Sequence, residues 1–515
     1  MGGVSVPSPG AAAAPLRLLI DSNFYITLEP YGGEVEVGQA SAAEVVRLGT
    51  EQGHTFVVHP ATRDDLLQAG DQRRRAQRLA ELAKYQLLEE GPVPALLTLV
   101  LGTPNSGSND ERDLRILAAL HHNAAAYLIT NDRALRRRAL RIGLGERVLT
   151  VGDAVDMLRQ LAPAVSTPPP RIRPVAPYAL DAEQGIFLSL RADYPEFDRW
   201  LDHTVRPDVA NRDCLVVEDD GAYAALAIVK RLEEDCRHPF PQPVCKLATL
   251  KVNEDYLGSK YGELLLKSVF AAARQRRTAS MYVEVLPKHD GLIDLLARFG
   301  FADSGARTPR DELIMVKHLR PPEGSGPLSA LEHHVSYGPP AIAGTGAVFL
   351  VPIRPHWHGQ LFPDAPDQRR TYEQLSLIAV PQTPTHPWGN ALRKAYLSNS
   401  ASNRLQPGDT LLFYRSRGLS SVTAIGVVEE TRRSSDPGEV LAFVAGRTVY
   451  TPEEVAAMCR SVRGVLAVLF RQDRFIDPPW TLPELQANGV LTSWPQSITK
   501  VRERGAQWVN EQLAG

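Results

Sequence analysis

Apolar residues fall into three stretches of different rhythm along the chain. Between residues 16 and 160, "LRLLI" and "FVVHP" read as short buried strands and "AAYLIT" as a third. Between them, "RRRAQRLAELAKYQLL" and "DLRILAALHHNA" carry apolar residues at helical spacing. Alternation of this kind predicts an α/β layer on a parallel sheet. From 247 to 302 the order changes to a strand, a glycine-containing turn, a long amphipathic helix, a strand, and a helix ending on Gly-Phe. Beyond 347, short strands separated by turn signals such as Pro407-Gly408-Asp409 predict a small β-barrel with peripheral helices. No internal repeat is visible.

Two segments interrupt these rhythms. Residues 161–177 hold the run "TPPPRIRP", a stiff extended spacer, and 320–346 mix Pro, Gly and Ser with little apolar pattern. With 1–15 as a disordered tail, the expected domains are 16–160, 178–319 and 347–515. About three domains also suit 515 residues. The fold class is therefore multidomain, α/β and α+β.

A formal net charge of −2 excludes a globally basic nucleic-acid binder. Positive charge is local, in Arg73, Arg74, Arg75 and Arg78 and again in Arg133, Arg136, Arg137, Arg138 and Arg141. The four cysteines lie far apart with no CxxC pair, which argues against a zinc ribbon or disulfide framework and fits a reducing cytosol. No apolar run approaches a membrane span and the start has no signal-peptide pattern, so the expectation is a cytoplasmic protein with no membrane partner.

In parallel sheets, ligands sit at the carboxyl ends of the strands. Asp21 ends the first strand in "LLIDSNFYI" and Asp132 ends the third in "LITNDRAL". Asp65, or its neighbour Asp64, opens the helix after "HPATRDDLL", and Asp113 precedes the run in "DERDLRILAAL". Singly, Asp132 and Asp110 are good helix caps. Jointly, gathered carboxylates repel one another unless a cation offsets them, and hard oxygen ligands favour Mg²⁺ or Mn²⁺.

These four motifs, in this order, resemble those of PIN-domain nucleases over about 130 residues. The resemblance implies an α/β/α parallel-sheet domain that cuts RNA with divalent metals. By position, Asp21, Asp65, Asp113 and Asp132 would be catalytic, and Asp21, Asp113 and Asp132 metal ligands. The family usually has Glu where Asp65 stands. Arg133 and Arg137 would offset phosphate charge.

"LATLKVNEDYLGSKYGELLLKSVFAAARQR", "SMYVEVLP" and "GLIDLLARFGF" resemble the core of GNAT acetyltransferases, implying a mixed sheet with helices. There a turn reading roughly Arg/Gln-x-x-Gly-x-Gly/Ala and a helix N-terminus hold acetyl-CoA. Val252, Gly258, Lys260, Tyr261 and Gly262 would bind the coenzyme. Lys260 falls on the middle glycine, Leu257 on Arg/Gln, and Leu296 where many members carry a tyrosine acid. Glu254 and Glu284 lie near the strands where a general base would sit.

"PGDTLLFY…AIGVV" resembles the ASCH/EVE branch of the PUA-like fold, whose members often bind RNA or modified bases. Tyr414, Arg415, Arg417, Arg447 and Tyr450 combine stacking surface with positive charge, and Gln496, Ser497 and Lys500 add polar groups. His356 and His358, two apart, lack a third metal ligand at suitable spacing.

The leading expectation is a Mg²⁺- or Mn²⁺-dependent endoribonuclease with an RNA-binding tail, of the toxin or RNA-processing kind, held in check by an antitoxin or regulatory partner. The alternatives are an acetyl-CoA-dependent N-acetyltransferase with RNA-binding flanks and a non-enzymatic RNA-binding adaptor.

Overall fold

The computed structural model describes residues 16–28, 39–67, 82, 85–161, 172–219, 221–253, 256, 259–322, 324–366, 387–402, 404–416, 419–444 and 447–514. The chain forms two compact units, Met1–Ala164 with Arg432–Ala467, and Val165–Thr431 with Val468–Gly515.

In the first unit the strands β1 (Arg17–Ile20), β2 (Thr55–Val58), β3 (Gln86–Leu87), β4 (Tyr127–Ile129) and β5 (Val148–Leu149) form one sheet in the order β3-β2-β1-β4-β5. Every pairing in it is parallel. The apolar runs have no alternation because β1, β2 and β4 are covered on both faces. The helices are α1 (Ser22–Leu28), α2 (Gln39–Glu51), α3 (Pro60–Leu67), α4 (Ala95–Leu101), α5 (Asn109–His121), α6 (Arg133–Arg141) and α7 (Val151–Leu161). Phe24, Val45 and Leu158 pack on one face of the sheet, and Leu117, Leu120 and Leu135 on the other. Most of the helix expected over 73–88 lies outside the described residues. Its end is different: Gln86 and Leu87 form β3 against β2. Two helices from later in the chain, Pro437–Val444 and Pro452–Cys459, also belong to this unit, where the Tyr127 hydroxyl donates to the Leu441 carbonyl at 2.7 Å.

The second unit holds a seven-stranded sheet in the order β11-β12-β10-β9-β8-β7-β6. Its strands are β6 (Ile172–Val175), β7 (Arg212–Asp219), β8 (Ala222–Lys230), β9 (Val244–Val252), β10 (Ser280–Val285), β11 (Ala302–Arg307) and β12 (Leu313–His318). All pairings are antiparallel except that of β9 with β10. Helices α8 (Leu188–Asp193) and α9 (Phe197–Trp200) cover one face through Leu190, Phe197 and Trp200. Helices α10 (Tyr261–Gln275) and α11 (Asp290–Arg298) cover the other through Leu265, Val269 and Leu296.

Helix α12 (Ala330–Tyr337) starts on a capping box, Ser329 with Glu332, and leads to a third sheet ordered β14-β17-β16-β15-β13-β18. These strands are β13 (Val348–Ile353), β14 (Arg393–Ser398), β15 (Thr410–Arg415), β16 (Ser421–Ser434), β17 (Val465–Thr481) and β18 (Thr499–Lys500). Helix α13 (Pro355–Leu361) leads to Phe362, which packs on Phe413 and Phe470.

The end of α12 is tied to the seven-stranded sheet. Lys317, fully buried on β12, donates to the carbonyls of Val335 and Ser336 at 3.2 and 2.9 Å. Those carbonyls belong to the last turn of α12, which has no intrahelical donors for them. Gly300 makes the approach possible: its φ is +80°, and a Cβ there would stand 2.2 Å from the Val335 carbonyl oxygen. Gly300→Ala is expected to cost about 3 kcal/mol or more, through left-handed strain and displacement of α12. Chemical denaturation of the full chain checks this, and a loss below about 0.5 kcal/mol would contradict it.

Candidate functional site

The acids of the first unit meet at the carboxyl ends of two adjacent strands. Asp21 follows β1 directly, and Asp132 follows β4 after Thr130 and Asn131. Asp21 is buried. Its carboxylate accepts the Phe24 N–H at 2.8 Å and the Thr130 hydroxyl. Asp132 caps α6, accepting from Ala134 and Leu135 N–H at 2.7 and 3.0 Å, while its second oxygen takes Asn23 Nδ2 at 3.3 Å. The cap and the cluster are therefore served by one residue. Burial pushes the Asp21 carboxyl up to about 7, with Asp132 and Asp113 adding repulsion. Burial and Asp132 push Asp113, on α5, up to about 6.

The remaining members of the set are engaged elsewhere. Asp65 faces Arg112 at 3.3 Å, and Asp64 faces Arg115 at 2.8 Å, so both acids of the second motif meet arginines of α5. Arg138 turns back onto Asp110 at 2.6 Å and Asp113 at 3.7 Å instead of pointing to a ligand. Arg133 is half-buried, whereas Arg137 is exposed with Nε on the Arg133 carbonyl at 3.3 Å. Among the described residues, no group of three or more His, Cys, Asp or Glu is arranged to hold a metal ion. Asp21, Asp113 and Asp132 thus act on one another electrostatically without forming a ligand set as they stand.

The expected stacking surface after residue 400 is corrected at Tyr414, Arg447 and Tyr450. Tyr414 is fully buried, packed with Trp480, Leu485 and Val509, because β15 turns it into the core rather than outward. Arg447 is held by Glu146 at 2.8 Å within the first unit. Tyr450 is buried too. Arg415 is half-buried and Arg417 lies outside the described residues. His358 is buried on α13 with Nε2 2.6 Å from the Thr423 hydroxyl, while His356 is exposed, so the two do not converge. Gln496, Ser497 and Lys500 are exposed beside Trp494, which is 58% exposed.

The middle region holds one parallel strand pair, β9 with β10. Strands β9 and β10 pair only at Val244–Lys246 with Ser280–Tyr282. Beyond that, β9 stays with β8 as far as Val252, and β10 stays with β12 as far as Val285. The two parallel strands therefore part at their carboxyl ends. Helix α10 begins beside the gap. Its first internal bond runs from Leu264 N–H to the Lys260 carbonyl at 3.0 Å, so the N–H groups of Tyr261, Gly262 and Glu263 have no acceptor inside the helix. Lys260, the N-cap, has φ 57° and ψ 21°, which explains why a glycine suits this position. A Cβ on Gly262 would stand 3.2 Å from Leu295 Cδ2, so the turn lies close against α11. This is an anion cradle of backbone donors at a helix start.

Residues 178–301 match the model of the acetyltransferase (GNAT) family. No curated protein matches the chain. Among solved structures, the chain is similar to ASCH from Zymomonas mobilis, at 13% identity over 32% of this chain and 94% of that one, with a TM-score of 0.23. It is also similar to PaiA N-acetyltransferase from Thermoplasma acidophilum in complex with coenzyme A, at 12% identity over 29% and 99%, with a TM-score of 0.24. A GNAT-family acetyltransferase from Staphylococcus aureus shows 12% identity over 29% and 100%, also with a TM-score of 0.24. No helix among the described residues is long and apolar enough to cross a membrane.

Against the GNAT expectations, Val252 ends β9 beside Gly262, and Lys260, Tyr261 and Gly262 form the start of α10. Gly258, Leu257 and Glu254 lie outside the described residues. Leu296 is wholly buried in the core and offers no proton. Glu284, two residues past the last β9–β10 pair, holds Lys246 at 2.8 Å. Sequence reasoning missed residues from the far side of the unit. Asn390 Nδ2 donates to the Ser259 carbonyl at 3.1 Å, Glu263 accepts the Leu392 N–H at 2.8 Å, and Lys260 Nζ lies 4.3 Å from the Trp388 ring centroid. The only signal was a lone "PWGN", which carries no chemistry by itself.

The raised carboxyl of Asp21 sets a sign for stability. A group protonated in the folded state favours that state fully below its unfolded value near 3.8, and the advantage is lost as pH rises to about 7. In EDTA, wild-type stability should fall across pH 4–7 relative to Asp21→Asn, by on the order of 1–3 kcal/mol. Parallel denaturation curves at pH 4 and pH 8 for both chains would show the difference. An unchanging gap would refute it.

Proposed function

We propose that residues 178–319 transfer an acetyl group from acetyl-CoA to an amine. The observation that carries this is the parting of β9 and β10 beside the donor-lined start of α10, within the segment that matches the GNAT family model. The cradle fits the coenzyme: three first-turn N–H groups are available to a pyrophosphate, and the left-handed turn at Lys260 keeps them together. When bound, the coenzyme supplies the activated acetyl thioester. Val252 and residues 259–262 would hold it.

The acceptor amine must attack as a free base. Glu284 is the described carboxylate beside the gap, and it takes the amine proton as the new C–N bond forms and the C–S bond breaks. Lys246 fixes its orientation. The departing sulfur then needs a proton. With Leu296 unavailable, Tyr261 is the hydroxyl at the helix start, and burial pushes it up to about 12, so it keeps its proton at neutral pH. RNA, or an RNA-bound molecule, is the acceptor class we favour. Exposed Trp494 with Gln496, Ser497 and Lys500 offers a stacking and polar surface for it.

Calorimetry with acetyl-CoA and thiol release in the presence of amines test the reading together. Glu284→Gln should lower kcat by about a hundredfold with little change in KM for acetyl-CoA. No detectable heat with acetyl-CoA would sink it.

A second reading, divalent-metal hydrolysis of RNA in the first unit, is favoured by one observation. Asp21 and Asp113 are pushed up by burial and by Asp132, and Asp21 by Asp113 as well, a repulsion that a bound cation would relieve. The acids do not form a ligand set as they stand. On this reading, labelled RNA is cut with Mn²⁺ or Mg²⁺, is spared with EDTA, and is spared by the Asp21→Asn/Asp132→Asn chain. Cutting that persists in the double variant removes it.

A further inference from the structure

The start of α10 is walled by a segment from the third sheet's side of the same unit. Pro387–Gly389 forms a short 3-10 turn, followed by Asn390 and Leu392 ahead of β14. It is rigidly held. Ala391 N–H donates to the Trp388 carbonyl at 3.2 Å, and the buried Lys394 ammonium donates to the Gly389 carbonyl. Gly389 packs so tightly that a Cβ there would stand 2.5 Å from the Gln360 carbonyl oxygen. The segment touches the cradle at three points: the Ser259 carbonyl, the Lys260 side chain and the Glu263 carboxylate.

Two polar atoms of this wall have no hydrogen-bond partner. Trp388 is 3% exposed, and its indole Nε1 is unpartnered; Asn390 is 4% exposed, and its Oδ1 is unpartnered. An orphaned buried polar group costs about 1–3 kcal/mol, so the Trp388 indole donor, with no acceptor in the protein, points to a ligand that supplies one. The orphan on Trp388 is a donor, and it lies in the ring beneath the Lys260 ammonium. Asn390 is fixed by its own Nδ2 bond to the Ser259 carbonyl. An indole N–H donor and an ammonium thus stand at the start of α10, where the first-turn N–H groups also lie. That combination selects a phosphate-bearing ligand. Glu263, an acid of the same first turn, is engaged by the Leu392 N–H.

We propose that Trp388 is a coenzyme-binding residue supplied from outside the matched acetyltransferase segment, its indole N–H donating to a phosphate oxygen of coenzyme A held at the α10 N-terminus beside Lys260. This rests on the acetyl-CoA reading above. The third sheet is then part of the coenzyme site rather than an appended module. Lys260 is half-exposed, and the indole is held by its turn.

The full chain is titrated calorimetrically with coenzyme A and with pantetheine, which lacks the phosphates. Trp388→Phe keeps the ring and removes only the donor. It should weaken coenzyme A binding about tenfold or more while leaving pantetheine unchanged. Equal coenzyme A affinity in the two chains overturns the proposal and leaves the acetyl-CoA reading standing. Equal losses for both ligands also overturn it, because they mean a merely structural role. Wild-type chain that binds neither ligand overturns the acetyl-CoA reading and the proposal with it. A second readout needs no variant at position 388. With indole nitrogens labelled in the wild-type chain, one indole N–H resonance should move on adding coenzyme A and stay still with pantetheine. If none moves, the indole makes no such bond.

Discussion

The buried carboxylate of Glu263 accepts the Leu392 N–H at 2.8 Å, and the arrangement of the second unit depends on that contact. It stands in the first turn of α10, where negative charge is favoured by the helix dipole. One turn on, Lys267 binds Asp364 at 2.8 Å, and Lys394 lies fully buried beside the same acids. Two acids and two lysines thus share one low-dielectric region. Burial and Lys267 drive the Lys394 ammonium well below its ordinary value, against the pull of Asp364 and Glu263. Removing Lys267 or Asp364 alone would leave an uncompensated buried charge, a loss of about 3–5 kcal/mol for such pairs. Hydrophobic packing alone would let α10 slide. The charged network fixes its rotation, and with it the direction of the N–H groups at its start.

A different constraint governs the acids of the first unit. Adjacent parallel strands must deliver their carboxyl ends to one edge, so residues following β1 and β4 are neighbours whatever their chemistry. Asp21 and Asp132 are brought together by that topology, and each also has a local structural task. Asp21 accepts from Phe24 at the start of α1, and Asp132 caps α6. The local bonds hold both acids close in spite of their repulsion. Arg138 then offsets part of the charge by binding Asp110 and Asp113. An edge of this kind can be assembled without a cation.

What could be read in the sequence follows the range of the forces involved. Strand–helix alternation and the parallel first sheet were legible, since burial on both faces writes continuous apolar runs. So was the β9–turn–α10–β10 order, because its periodicity is local. Positions set by distant partners were not. Tyr414 looked available for stacking, yet the third sheet packs it against Trp480 and Leu485. Arg138 looked like part of a free positive cluster, yet two nearby acids claim it. Gln86 and Leu87 carry helical spacing but pair with β2, where tertiary pairing overrides local propensity. Trp388 and Asn390 were invisible as site residues, since nothing in "PWGN" tells which helix start they will cover.

Lys260 shows how these levels combine. Read alone, a lysine on a family glycine position damages the turn: its φ of 57° is left-handed, a strain of roughly 1–2 kcal/mol for a residue with a Cβ. Its side chain, however, lies over the Trp388 ring at 4.3 Å, a cation–π contact of about 0.5–2 kcal/mol. The two magnitudes are comparable, so the strain is offset only while the third sheet supplies that ring. The departure from the family pattern is therefore compensated from beyond residue 301, and the segment matching the acetyltransferase model is energetically incomplete without its neighbour. A turn that looks degenerate within one domain becomes coherent when both sheets are taken as one structural unit.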